Sequence, residues 1–460
     1  MGLSDTAGGL MRGLGLSDPV IRLGVTGLSR AGKTVFITSL VANLLDRGRM
    51  PALRAAADGS IRAAWLQPQP DDTVPRFDYD RHLTALPGPD PHWPEGTRHV
   101  SELRLSLRVQ PRGLFSGLRG VQNLHLDIVD YPGEWLLDLR LMERSFAEWS
   151  AETLERMQTR PGADPFRDAL AALDPRARFE EPAAQALHRL YVAHLAAARE
   201  AGFSDTTPGR FLLPGEMEGS PALTFTPLPA EQSSSKLYRE FERRFDAYKS
   251  RVVKPFFRHH FARIDRQVVL VDVLGAIHSG PQAVEDMRRA MADILSAFRP
   301  GRAGWLAQLL GTRRVERILF AATKADHLHH VQHQRLANIL TAMLREARDR
   351  ADFQGARTEA LAIAALRTTT EETIRQDGAE LPAVRGTLMD GREAAFYPGE
   401  LPDNPAVLLA PAAEGATRWL DGDYAAMNFA PAPNTLRPGD GPPHIRMDRA
   451  AEFLIGDRLR

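Results

Sequence analysis

The chain runs to 460 residues, 43% hydrophobic and 25% charged, the balance of a soluble globular protein with room for about two to four domains. Its 58 basic and 58 acidic side chains cancel to a net charge of +0, so no overall field draws it to nucleic acid or anionic lipid. It has no cysteine, which excludes disulfides, thiolate-held zinc and thiol nucleophiles.

Residues 1–20 alternate Gly, Leu and Ser without the basic-then-apolar layout of a secretory signal, and read as a lead-in. Arg22–Gly27 reads as a strand and Lys33–Arg47 as the helix after it. Arg49–Thr97 is rich in Pro and Gly and reads as irregular, an extended switch region over residues 49–99. Val100–Val109 and Asn123–Val129 are strand-like, and their link Pro111–Gly120 suits an antiparallel hairpin at one edge of a sheet. From residue 137 to 266 the strand signal stops. Leu137–Gln158, Asp164–Leu173, Pro182–Ala201 and Ser234–Ile264 carry apolar residues at helical spacing, broken by the loop Gly202–Glu231. Strands return at Val268–Val273, Arg317–Ala322 and Glu359–Ala365, with helical patterns at Pro281–Phe298 and His329–Arg350. Much of Gln376–Pro443 reads as irregular, and Met447–Leu459 as a helix.

Strands alternating with helices predict an α/β fold, a doubly wound and mostly parallel sheet. Residues 21–136 and 267–460 form its two parts, and 137–266 an inserted all-helical domain. No apolar run reaches the roughly 18–20 residues that span a bilayer, and even Val268–Ile277 carries Asp272. A cytoplasmic protein with no transmembrane segment of its own is expected.

Three stretches carry chemistry. The first is Gly27-Leu28-Ser29-Arg30-Ala31-Gly32-Lys33-Thr34, which matches G-x-x-x-x-G-K-[ST] between a strand and a helix. Glycines let the backbone wrap phosphates, so Gly27 and the N–H groups of Ser29, Arg30, Ala31, Gly32, Lys33, Thr34 and Val35 form an anion nest at a helix start. Lys33 would reach the β- and γ-phosphates, and the Thr34 hydroxyl would ligate Mg²⁺.

The second is Asp130-Tyr131-Pro132-Gly133, a D-x-x-G in which Asp130 would hold the Mg²⁺ shell and the Gly133 N–H would sense a γ-phosphate. Asp272-Val273-Leu274-Gly275 also matches, but the motif order of Ras-like GTPases puts Asp130 in this role and Asp272 on the intervening strand. The third is Thr323-Lys324-Ala325-Asp326, which resembles the guanine-reading N/T-K-x-D. Asp326 would accept two N–H bonds from guanine. The stem of Lys324 would lie along the base, with its ammonium near the phosphate loop. After the last strand, Ala365 in Ala364-Ala365-Leu366 would offer a backbone N–H to the guanine oxygen. Thr97, or less well Thr73, would serve as the switch threonine on the metal and γ-phosphate.

These motifs, with "IVDYPGEWLLDLRLM" from Ile128, "TPGRFLLPGEMEGSPALTF" from Thr207, "VLVDVLGAIHSGP" and "HIRMDRAAEFLIGDRL", resemble the YcjX family of bacterial stress-associated P-loop GTPases along nearly the whole chain. The resemblance implies a Ras-like GTPase core with a helical insertion, GTP/GDP and Mg²⁺ as ligands, and a tie to envelope or heat stress. It also implies an inner-membrane protein as partner, with the chain itself at most peripheral to that membrane.

Glu134 stands where many GTPases carry a water-orienting Gln. A carboxylate beside a triphosphate predicts slow intrinsic hydrolysis unless a cation shields it. Arg30 in the loop is the nearest positive group in sequence, with Arg98 and Arg210 as further candidates for an arginine acting in cis. A P-loop ATPase and a nucleotide-gated scaffold with negligible hydrolysis remain the alternatives. His329 and His333, with His327 and His330 beside them, have metal-ligand spacing, but a polar helix face is the plainer reading.

Overall fold

The computed structural model describes residues 18–28, 31–86, 91–94, 96, 99–110, 120–296, 315–345, 356–376, 378–419, 427–431 and 439–460. Ser29, Arg30, Thr97 and Arg98 lie outside these residues, as does most of the link after Val109.

The strand β1 (Val20–Gly27) is central to a seven-stranded sheet with β2 (Ile61–Gln67), β3 (Ser101–Val109), β4 (Gln122–Asp130), β5 (Arg266–Val271), β6 (Arg317–Ala322) and β7 (Arg357–Ala362). The order is β2-β3-β4-β1-β5-β6-β7. Every pair from β4 to β7 is parallel, whereas β3 runs against both β4 and β2. β1, β5 and β6 are largely buried on both faces, which is why they read as near-continuous apolar runs.

Alternate residues of those strands feed two cores. Leu23, Val25, Val268, Leu270 and Leu319 face α1 (Lys33–Leu45) and the C-terminal helix Met447–Ile455. Val269, Val271, Ile318 and Phe320 face the opposite core, which also takes in α5 (Pro281–Ser296) and α6 (His333–Met343). Helices on both faces make the sheet doubly wound.

Between β4 and β5 the chain is helical, with α2 (Phe146–Met157), α3 (Glu181–Glu200) and α4 (Lys236–Tyr248) as its longest members. α2 starts where it does because Ser145 and Glu148 form a reciprocal capping box. The predicted Ser234–Ile264 helix is broken by a π-helical turn at Lys249–Val253. Aromatic rings fill this region: Trp149 stacks on Phe245 at 5.2 Å and meets Phe225 edge-on at 5.4 Å. The same hydrophobic cluster continues through Phe256, Phe257 and Phe261 into the sheet face, so the helices rest directly on the strands.

Two expectations need correcting. The β3–β4 hairpin is not at the edge, because β2, inside the stretch read as irregular, pairs antiparallel outside β3. β8 (Thr370–Gln376), β9 (Ala379–Thr387) and β10 (Glu393–Phe396) form a separate antiparallel sheet, partly within the C-terminal stretch also read as irregular. Their residues are mostly half-buried or exposed, so neither shows the alternation of a strand with a buried face.

Trp149 is 1% exposed and packs against the rings of Phe146, Tyr191, Phe225 and Phe245, so Trp149→Ala is expected to cost about 3–5 kcal/mol, read as a lower midpoint in denaturant unfolding.

Candidate functional site

The C-terminal ends of the parallel strands surround a cavity of about 530 Å³, in the size range of small-molecule sites. At β1, Gly27 ends the strand and Gly32 takes a left-handed φ of 74° before α1 begins, a turn that suits a residue without a β-carbon. No side chain caps the first turn of α1, and Gly32, Lys33, Thr34 and Val35 line the cavity with Gly27 and Ala31. The amide-rich positive end of a 13-residue helix therefore borders the space.

β4 lies beside β1 in register, with Val25 opposite Asp130. Lys33 Nζ meets Asp130 Oδ1 at 2.8 Å, and both are largely buried. Gly133 abuts Gly27 so closely that an added β-carbon would fall inside the Gly27 carbonyl. Pro132 and Glu134 reach the cavity wall. Thr34 and Asp130 supply a hydroxyl and a carboxylate, hard oxygen donors of the class Mg²⁺ takes.

Beyond β6, Lys324 adopts φ 60° and Asp326 is 4% exposed on the cavity wall. Asp326 Oδ2 accepts the Thr368 N–H at 2.9 Å and its hydroxyl at 2.8 Å, while the Thr369 hydroxyl donates to the Asp326 carbonyl. Thr323, Ala364, Ala365 and Leu366 also line the space, and the Ala365 carbonyl accepts the Ser39 hydroxyl.

The Lys324 ammonium, expected near the phosphate loop, pairs with Asp272. The reason is register: Val271 lies opposite Ala322, so the residues just past β5 and β6 are neighbours. Asp272 also caps the following helix by accepting the Gly275 N–H at 2.9 Å. Of the two D-x-x-G matches, then, Asp130 is the one that meets Lys33. Thr73, the weaker switch candidate, is exposed and bonds Asp71 at 2.6 Å, away from the cavity. Thr97, Ser29 and Arg30 lie outside the described residues.

Several wall residues had no signal in the sequence. Trp93 lines the cavity and donates its indole N–H to the Phe429 carbonyl at 2.8 Å. Met389 and Phe429 come from the C-terminal stretch, and the ring of His327 meets Phe429 edge-on at 5.2 Å. Burial holds the His327 imidazole below its usual range. Arg199, in the last turn of α3, also reaches the wall, and its Nη2 stands 3.7 Å from Glu134 Oε1. Glu134 is 4% exposed. Arg210, by contrast, lies over the Trp135 ring at 3.2 Å.

The histidines divide differently from the expected pair. His333 starts α6, is buried, and bonds the Leu328 carbonyl at 3.1 Å. His329 and His330 precede the helix and approach Glu371, with ligand atoms within 4.8 Å of one another. His330 Nδ1 is already 2.7 Å from that carboxylate, and the Arg367 guanidinium stands 3.8 Å from it. A charge-paired corner describes this group, and its resident cation is Arg367.

Behind the second motif, Asp138 is buried and accepts the Gly209 N–H at 2.8 Å and the Tyr248 hydroxyl. Burial outweighs those donors and pushes its carboxyl up to about 7.

A model of the YcjX-like family, DUF463, matches residues 21–459. The Ras-like GTPase YcjX of Escherichia coli (strain K12) is 38% identical over 461 residues, covering 96% of this chain and 97% of that protein. The Ras-like GTPase YcjX of Shewanella oneidensis is 36% identical over 471 residues, covering 96% and 95% respectively.

The raised Asp138 carboxyl sets a pH dependence. Its value is about 7 folded against 3.8 unfolded, so between these the folded chain keeps a proton that the unfolded chain has released. This stabilisation is complete below the unfolded value and is lost as pH rises through about 7. Asp138→Asn cannot ionise. In thermal melts across a pH series, the variant is expected to gain on the wild type from about pH 4 to about pH 7.

Proposed function

The chain belongs to the YcjX-like family, and from that premise we propose that it binds guanine nucleotide with Mg²⁺ and hydrolyses GTP, acting as a stress-related conformational switch. One observation carries this reading: a glycine-rich loop with its lysine and a carboxylate at 326 line one cavity. The relatives' names, Ras-like GTPase, point the same way.

Asp326 is suited to reading guanine because its neighbours fix it. Thr368 occupies Oδ2, and Oδ1 remains to accept the N1–H and N2–H of guanine, an edge adenine lacks. Lys33 and Asp130 satisfy each other in the structure. Phosphate oxygens offer Lys33 a second anionic partner, and Asp130 then keeps a carboxylate for the cation, with Thr34 beside Lys33 in the same helical turn. Bound Mg²⁺ would neutralise charge on the phosphates. The Gly133 N–H adjoins the loop and is the group that senses a γ-phosphate, and its release after hydrolysis is the switch. Glu134 would orient water, with Arg199 as the cation that offsets its repulsion from phosphate.

The family resemblance adds a cytoplasmic setting and an inner-membrane partner. No helix among the described residues is long and apolar enough to cross a membrane.

Competition of GDP and ADP against a fluorescent GDP analogue tests base choice, and GDP is expected to win by a wide margin. Asp326→Asn should weaken GDP binding about 10–100-fold, the worth of hydrogen bonds to a charged acceptor, and should favour xanthine nucleotide instead. Equal competition by ADP would refute the guanine reading. Binding without single-turnover hydrolysis would leave a nucleotide-gated scaffold.

A further inference from the structure

We propose that Arg199, carried on α3 of the helical region, is the arginine that meets the charge developing on the γ-phosphate, with Glu134 as its resting partner. The inference rests on the GTPase reading above and names a group within that site.

Position is the first argument. Among the described residues, Arg199 is the arginine on the cavity wall. Other described arginines nearby do not line it. Arg210 lies over Trp135, Arg140 and Arg156 pair with the buried Asp205, and Arg160 pairs with Asp286. Arg30 and Arg98 lie outside the described residues.

The second argument is how the side chain is held. α3 is a 20-residue helix whose Leu187, Tyr191, Leu195 and Ala198 are buried, so packing sets where its last turn sits. A cation in a last turn is also favoured by the helix dipole. Its partner is equally constrained. Glu134 follows Gly133, which abuts Gly27, and Gly209 abuts the Glu134 carbonyl. The guanidinium therefore stands beside the phosphate loop on rigid elements from both sides.

The third argument is charge. At 3.7 Å the Arg199–Glu134 contact is longer than a hydrogen bond. Glu134 is buried, and a triphosphate brought beside it would repel it. A guanidinium offers five donors in a planar fork, the geometry that matches phosphate oxygens. As water oxygen bonds to the γ-phosphorus, the bond from that phosphorus to the bridging oxygen breaks and its electron pair leaves on GDP. The water proton ends on inorganic phosphate. Arg199 stabilises the negative charge on the transferring group and the bridging oxygen, which is greatest in the transition state. The 65-residue span that separates the two partners in sequence is bridged only by the fold.

The test uses the full-length chain and two separate readouts, affinity for a fluorescent GDP analogue and the single-turnover rate of GTP hydrolysis. Arg199→Ala is expected to lower the rate about 10²-fold or more while GDP affinity changes by less than about threefold. It should also abolish trapping of GDP with aluminium fluoride, a stand-in for the transferring phosphoryl group. Arg199→Lys should recover only part of the rate, since an ammonium lacks the fork. Adding Glu134→Gln to Arg199→Ala should not restore hydrolysis. A rate within threefold of wild type in Arg199→Ala overturns the proposal. So does restoration in the double variant, which would leave Arg199 only neutralising Glu134. If wild-type protein binds no GDP, or binds GTP and never hydrolyses it, the GTPase reading itself falls, and this proposal with it.

Discussion

Gly133 approaches the Gly27 carbonyl so closely that no β-carbon fits between them. The contact follows from strand pairing: β1 and β4 are parallel neighbours, and the register that puts Val25 opposite Asp130 brings the residues after each strand together. Everything at the site hangs on this pairing. It lets Lys33 find Asp130, and it sets Glu134 against the cavity. One residue further on, the Glu134 carbonyl meets Gly209, again at a distance that only glycine tolerates. The glycine-rich loop, second motif and helical region are thus joined by backbone contacts that leave little slack.

The parts of the fold that were legible in the sequence are those whose burial leaves a simple pattern. β1, β5 and β6 are buried on both faces and read as apolar runs. α5 and α6 carry a stripe at helical spacing. β2 was missed because, apart from Ile61, its residues are half-buried or exposed. The sheet of β8 to β10 was missed for a related reason: "TEETIRQ" and "AELPAVRGT" expose polar residues on both sides, and backbone pairing holds them together. The His329–His333 spacing suggested one helical face, yet the helix begins only at His333, so the two rings never share one.

At the site, the residues that could be read are those belonging to contiguous motifs. Gly32, Lys33 and Thr34 are fixed by local turn and helix geometry, Asp130 by its place at the end of β4, and Asp326 by its place just beyond β6. Arg199, Thr368, Trp93 and Phe429 carry no such local mark. Arg199, Trp93 and Phe429 reach the cavity, and Thr368 reaches Asp326, because a distant element docks there. Lys324 shows the converse. Its motif was clear, but the partner of its ammonium depended on which strand lay next to β6, a fact of sheet order.

What holds the helical region in place bears on how the site works. Arg140 binds Asp205 at 2.6 Å and Asp293 at 2.7 Å, Arg156 joins the same Asp205, and Arg160 pairs with Asp286 on α5. Burial pushes the Asp205 carboxyl up, but the surrounding guanidiniums outweigh it and hold the group well below its usual range. Desolvation offsets much of what such a network contributes to stability, whereas breaking one member leaves an uncompensated buried charge. The network therefore acts chiefly to admit one arrangement of α2, the Asp205 loop and α5. Beside it, Asp138 ties Gly209 to Tyr248 through buried hydrogen bonds. Gly209 in turn touches Glu134, so the same loop that is tied to Asp138 also meets the backbone just after Gly133.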